Sequence, residues 1–299
     1  MAEAPKQPKP LGVGIHDIPA ERYHADPCET PSLTRSIAHT ILSQSLMHAW
    51  HQHPALNPNY RPRHESRFDI GSAAHAILFG GYEKLCIVNA NDWRTLDAKA
   101  ARHSARANNL TPVLKKDEIS IRKMADVCHE AIADSELKGV FDDGWVERVL
   151  IWKESGVLCR VMVDWINPKM EMVVDYKTTA DSEPERWSRG HIRQLGYDLQ
   201  QDFYSRAVLE HYGIDPYTQK TTFVFIVQEV KPPYAVSFVS LNEQYKLLAH
   251  DRMDRALALW SECLADDKWP GYPKRVAYAE PPKWEIAEEE YRVEQESIA

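Results

Sequence analysis

The stretch Val173-Val174-Asp175-Tyr176-Lys177 places an acid and a base two residues apart at the end of an apolar run. Residues two apart in a strand share a face, so Asp175 and Lys177 stand side by side. An earlier run, VLCRVMVDWI, ends in the same way: Arg160, Met162 and Asp164 share one face, and Cys159, Val161 and Val163 share the other. If these two strands are neighbours, two carboxylates and an ammonium converge at one end of a sheet. Oxygen donors of this kind suit Mg²⁺ or Mn²⁺. A lysine beside the ion can orient or deprotonate an attacking water while the ion stabilises charge on a phosphate. The chemistry is metal-assisted phosphodiester hydrolysis. An isolated Asp-x-Lys triplet is by default a surface ion pair, which contributes little. Its position favours a site: a buried-looking strand end, one short turn after another strand carrying an Asp.

The elements around these strands follow from periodicity. Residues 32–52 read as a helix capped by Ser32 or Thr34, with Ile37, Ile41, Leu42 and Leu46 on its apolar face. Pro54, Pro58 and Pro62 mark a loop. Residues 69–80 form a short helix in which Gly71, Ser72, Ala73 and Ala74 precede His75 and imply close packing. Residues 94–137 read as one or two helices broken near Thr111-Pro112. WVERVLIWK and VLCRVMVDWI are strands joined by a hairpin at Glu154-Ser155-Gly156. Asn167-Pro168 turns into EMVVDYK. A long helix over 184–212, two strands on either side of Pro232-Pro233 and a helix over 242–265 complete the order. The fold class is α/β or α+β around a mixed sheet of about five strands flanked by helices. Residues 1–30 are expected to be flexible, 31–270 to form the domain, and 271–299 to be an acidic, irregular tail.

Composition bounds the partners. The 299 residues are 43% hydrophobic and 27% charged, as in a soluble globular protein, and no run of 18 apolar residues marks a membrane helix. The N-terminus lacks the apolar stretch of a secretory signal. Five widely spaced cysteines without a CxxC fit a reducing cytoplasm better than a disulfide framework. The net charge of −8 argues at first against nucleic acid, but residues 280–299 alone hold seven Glu against Lys283 and Arg292. The rest of the chain keeps basic clusters: Arg61, Arg63 and Arg67; Lys99, Arg102 and Arg106; and Lys115, Lys116, Arg122 and Lys123. Each is also readable as a solvated face. His48, His51 and His53 form a visible group expected on an exposed or groove-facing side rather than around a metal.

With these residues in order, the chain resembles the PD-(D/E)xK nuclease superfamily. The likeness is to the branch holding the RecB nuclease domain, lambda exonuclease and, nearest, the nuclease domain of RecE (exodeoxyribonuclease VIII). It covers roughly residues 30–285. GSAAHAILFG is similar to the family's helix with a histidine metal ligand, mapping to His75. RVMVDWINP resembles the motif with the first aspartate, Asp164, and VVDYKTTA the strand with Asp175 and Lys177. LQQDFYSRAV resembles the Gln-x-x-x-Tyr helix, with Gln200 and Tyr204. Glu147, on the first strand, falls where relatives often carry a further acid that binds metal directly or through water. Thr178, Thr179 and Arg193 are the expected DNA contacts, although the two threonines are equally readable as capping or turn residues. Tyr176 is expected to face the opposite side of its strand.

The resemblance implies an Mg²⁺-dependent exonuclease, with Mn²⁺ a possible substitute, that digests linear duplex DNA from the 5′ end in phage-type recombination. It further implies a single-strand annealing protein as partner and a ring-shaped homo-oligomer, a trimer or tetramer, in which only a channel need be basic. No membrane partner is expected. Cys263 is alone near the C-terminus, so no iron–sulfur cluster is expected. The place of the family's Ser-Pro or Cys-Pro pair reads Ser45-Leu46, a departure that touches packing. Alternatives on the same fold are an endonuclease, a 3′-directed nuclease, or a non-catalytic DNA-binding or assembly module.

Overall fold

The computed structural model describes residues 8–61, 68–215 and 223–298. Three strands with continuous buried runs build the centre: β4 (Trp145–Glu154), β5 (Val157–Asn167) and β6 (Met172–Thr179). Ser155 and Gly156 turn β4 into β5 with φ of 49° and 82°, the pair of positive values that a tight hairpin matched to strand twist requires. The mixed sheet, expected to have about five strands, has six among the described residues. β1 (Gly14–His16) joins β4 at one edge, and β7 (Phe223–Glu229) and β8 (Val236–Val239) extend it beyond β6. Within this sheet, among the described residues, β6 and β7 run parallel and the other pairs are antiparallel. A parallel pair needs a long crossover, and here α7 (Pro184–Leu195) and α8 (Tyr197–Tyr212) belong to that connection.

The two faces of the sheet carry separate cores. On one, Val161, Val163, Val173 and Phe225 pack against α2 (Arg35–Ser43), α7, α8 and α9 (Glu243–Asp266), with Trp187, Phe203 and Trp260 fully buried. Burying a side chain of this size stabilises the fold by roughly 1.5–3 kcal/mol or more. On the other face, Val174, Tyr176, Val224 and Ile226 pack against α4 (Phe68–Leu78) and α6 (Lys115–Ala133). Gly71 of α4 comes so close to β6 that a Cβ there would lie 3.0 Å from the Thr178 hydroxyl. The small residues before His75 are there for this approach.

Several expectations are corrected. The helix read over 32–52 is two, α2 and α3 (Leu46–Gln52), because Ser45 caps the second with its own hydroxyl. The region 94–137 contains α5 (Leu96–Ala107), then strand β3 (Thr111–Leu114), then α6; β3 pairs in parallel with β2 (Leu85–Val88), a strand not foreseen. The helix over 184–212 breaks at Gly196, whose φ of 69° ends α7 in the left-handed conformation.

The N-terminal segment, expected to be flexible, is structured from residue 11 onward. It holds β1 and the short α1 (Ala20–His24), and Asp26 at its end is buried against Arg160. His53 belongs to the same buried group, 3.3 Å from Asp26, and is not on an exposed face. The acidic tail is not irregular throughout: α10 (Lys283–Ile298) forms on Glu-rich sequence supported by the Glu289–Arg292 and Arg292–Glu296 pairs. Arg63 and Arg67 lie outside the described residues. Among the described residues, no helix is long and apolar enough to cross a membrane.

Candidate active site

The site forms where β5 and β6 part. Their ladder runs only from Asn167 opposite Met172 to Trp165 opposite Val174. One further step would set Asp164 directly against Asp175. Two carboxylates in that position repel, and the strands separate instead. Asp164 Oδ2 accepts the backbone N–H of Tyr176 at 3.0 Å in place of a ladder bond. Farther along, Leu33 occupies the free side of β5: its N–H donates to Leu158 and its carbonyl accepts from the Arg160 N–H, at 2.8 and 2.9 Å. The stretch of β5 ending in Asp164 is therefore left open between two sealed ends.

The strands on either side supply the other groups. Glu147 of β4 falls opposite Asp164 in register but takes φ of 51°, interrupting the ladder there. His75 of α4 comes between them, with Nε2 3.6 Å from Asp164 Oδ1 and Nδ1 3.8 Å from Glu147 Oε1. Its ring rests edge-on against Phe79 at 4.7 Å, and Phe79 stacks on Trp165. Lys84, which the sequence reading missed, holds Glu147 Oε2 at 2.5 Å.

Asp175 is buried. Lys177 Nζ contacts its Oδ1, and Gln200 Nε2 of α8 donates to its Oδ2. The Lys177 ammonium also sits 5.0 Å over the Tyr197 ring. Gln200 is anchored in turn by Arg35 of α2, whose guanidinium donates to Oε1 at 3.4 Å and to the Leu195 carbonyl at 3.2 Å. Tyr204 lies one turn further along α8, buried against Phe223. Tyr176 faces the opposite core, where its hydroxyl donates to Gln228 Oε1 at 2.6 Å. The Thr178 hydroxyl packs near Gly71, and that of Thr179 closes the turn to Asp181. Arg193 is exposed on α7, near Arg252.

Charge in this cluster is out of balance. Burial pushes the Asp175 carboxyl up, the nearby Asp164 pushes it further, and Lys177 only partly opposes them, leaving its pKa at about 6. Burial would also raise Asp164, but His75 and Lys177 outweigh it and hold that carboxyl below its ordinary value. For His75 burial favours the neutral ring, yet Asp164 and Glu147 raise it overall. Lys177 is likewise raised: burial opposes its charge, and Asp175 and Asp164 more than restore it. Among the described residues, no three His, Cys, Asp or Glu side chains are grouped closely enough to hold a metal ion as they stand. The donor types nevertheless fit a hard divalent cation. Two carboxylates flank an open strand edge, and burial and Asp164 press Asp175 toward its protonated form despite its contact with Lys177.

Comparison with known proteins agrees with this geometry. Residues 43–282 match the model of a family described as "PDDEXK-like domain of unknown function (DUF3799)". The chain belongs to this family. Among solved structures it is similar to a crystal structure described as "Putative exonuclease" from Eubacterium rectale, with a TM-score of 0.59 and 12% identity, over 91% of this chain and 98% of that one. At that identity the likeness is one of fold. No curated protein matches the sequence. The chain therefore has the restriction-endonuclease-like α+β architecture of the PD-(D/E)xK superfamily, a mixed sheet flanked by helices.

Proposed function

We propose that this DUF3799 protein is a divalent-metal-dependent DNA nuclease, and specifically an exonuclease that degrades linear duplex from the 5′ end. The observation that carries the reading is the meeting of His75, Glu147, Asp164, Asp175 and Lys177 at the parting of β5 and β6, within a PD-(D/E)xK-like fold. His75, Asp164 and Asp175 would hold the cation, Mg²⁺ with Mn²⁺ as substitute, and Glu147 would join them directly or through water. Bound there, the cation supplies Lewis-acid activation and neutralises charge developing on the phosphate.

The protein's own groups orient the reaction. The Tyr176 N–H fixes Asp164, and the Gln200 amide fixes one oxygen of Asp175. Lys177, held charged beside Asp175, offers an ammonium to the attacking water and to the phosphate oxygens. Tyr204 closes the helix side of the site. Thr178, Thr179 and Arg193 are proposed to contact the DNA backbone. Phage-type recombination in the cytoplasm, a single-strand annealing partner and a ring of three or four subunits complete the reading; they rest on the resemblance seen in the sequence.

The test is degradation of linear duplex labelled at either the 5′ or the 3′ end, with Mg²⁺, alongside closed circular duplex. Release of 5′ label first, no attack on circles, and loss of activity in Asp175→Ala and Lys177→Ala are expected. Full activity in Asp175→Ala would sink the site assignment, and cutting of circles would make the enzyme an endonuclease.

A further inference from the structure

We propose that Arg35, Arg193, Arg252 and Arg255 form a phosphate-binding patch that holds the DNA strand beside the cleavage site. The proposal rests on the nuclease reading above and deepens it.

Three separate elements bring these arginines together around the Leu195-Gly196 junction of α7 and α8. Arg35 opens α2 and already touches Leu195 and Gln200. Arg193 stands exposed in the last turn of α7. Arg252 and Arg255 come from α9, and both Arg193 and Arg255 act on Arg252 through their charge. His39 of α2 closes the group: its ring would lie 2.5 Å from a Cβ at Gly196, and Arg35 and Arg252 both act on it.

Among the described residues, the only carboxylate paired with the patch is Asp198, on Arg252. Earlier in α7, Arg186 and Arg189 are each paired with a carboxylate, Asp181 at 2.7 Å and Glu185 at 2.5 Å. One turn on, Arg193 forms no ion pair with a carboxylate among the described residues, and neither do Arg35 and Arg255. Arg252 contacts the buried Asp198, but its Nε is buried without a hydrogen-bond partner among the described residues. Despite that carboxylate, burial and the like charges of Arg193 and Arg255 pull its pKa below the ordinary arginine value. Arg35 adds a local misfit: a cation in the first turn of a helix opposes the helix dipole. Crowded guanidiniums are retained against mutual repulsion where an anion completes them, and planar donors of this type match phosphate oxygens. Through Arg35 and Gln200 the patch connects directly to Asp175, so a phosphate bound there lies on a strand passing the site.

The phosphate could be internal to the strand or at its end. The test is DNA affinity by fluorescence anisotropy in EDTA, across a range of KCl concentrations, for the wild type, Arg193→Gln/Arg255→Gln and Arg35→Gln. Three probes are used: linear duplex with 5′-phosphate ends, the same duplex with 5′-hydroxyl ends, and closed circular duplex. We expect the double variant to lose about tenfold or more in affinity and to reduce the slope of log K against log salt by about two, roughly one per phosphate contact. A loss confined to the 5′-phosphorylated duplex identifies a terminal phosphate; an equal loss on all three identifies the strand backbone. Unchanged affinity and slope in both variants, with wild-type binding and cleavage intact, would overturn the patch alone. A wild-type chain that neither binds nor cuts DNA would overturn the nuclease reading with it.

Discussion

Asp26 and Arg160 form a buried ion pair at 2.8 Å that ties the N-terminal segment to the middle of β5. Neither side chain reaches solvent to a useful extent. Asp26 also accepts from the N–H and hydroxyl of Ser32, at 2.9 and 2.8 Å, and Arg160 donates to the Tyr23 and Ser32 carbonyls. This network seats Leu33 against β5 and so seals one end of the opening that exposes Asp164.

Breaking the pair leaves a buried guanidinium uncompensated, which costs about 3–5 kcal/mol. We expect Asp26→Ala to lower unfolding free energy by that amount in urea titrations, with an unchanged slope. A loss under 1 kcal/mol would mean that the segment does not support the sheet.

The centre of the site was legible because β-strands announce themselves by a two-residue period. VLCRVMVDWI and VVDYK placed Asp164, Asp175 and Lys177 on faces, and a short turn between them made the strands neighbours. The N-terminal segment was not legible because its order comes from partners far away in sequence. A polar, Pro-rich stretch looks flexible until Arg160 is known to need Asp26. The break at Gly196 was hidden because apolar residues continue through it. Arg35 was missed as a single basic residue, although its place just after the cap Thr34 was a signal: cations are disfavoured there. The tail helix escaped notice because its support is charge pairing and intrinsic propensity rather than an apolar face.

Gly196 is needed twice over. Its φ of 69° is left-handed, and a Cβ would strike the His39 ring at 2.5 Å. A left-handed non-glycine residue alone costs about 1–2 kcal/mol. We expect Gly196→Ala to lower the melting temperature by several degrees and to slow cleavage, because the junction sets the start of α8 and therefore Gln200. Wild-type melting with wild-type cleavage would remove the junction from the positioning of the site.

Divalent-cation affinity should rise with pH across the Asp175 and His75 titrations. Asp175 has a pKa of about 6 when folded, so lowering the pH from 7 to 5 protonates it and removes one of the proposed ligands. His75 is raised above its ordinary value, so it too must lose a proton to bind. Both effects have the same sign. Below about pH 6 the Asp175 proton alone should weaken binding toward tenfold per pH unit. Calorimetric titration of Mg²⁺ or Mn²⁺ between pH 5 and 8 checks this; affinity independent of pH would exclude these two groups as ligands.

Gln200 should matter through Asp175 rather than by contact with the scissile bond. Its amide donates to Asp175 Oδ2 while its own oxygen is held by Arg35. Removing the amide frees one carboxylate oxygen to rotate toward Lys177. A misplacement of about 1 Å at a reacting centre costs on the order of 10²-fold in rate. We expect Gln200→Ala to lose about that factor in kcat, with the fold retained by circular dichroism and DNA affinity in EDTA little changed. Gln200→Glu should lose more, because it places a third carboxylate beside Asp175 and turns a donor into an acceptor. If Gln200→Glu cleaves as fast as the wild type, the amide does not position Asp175 at all.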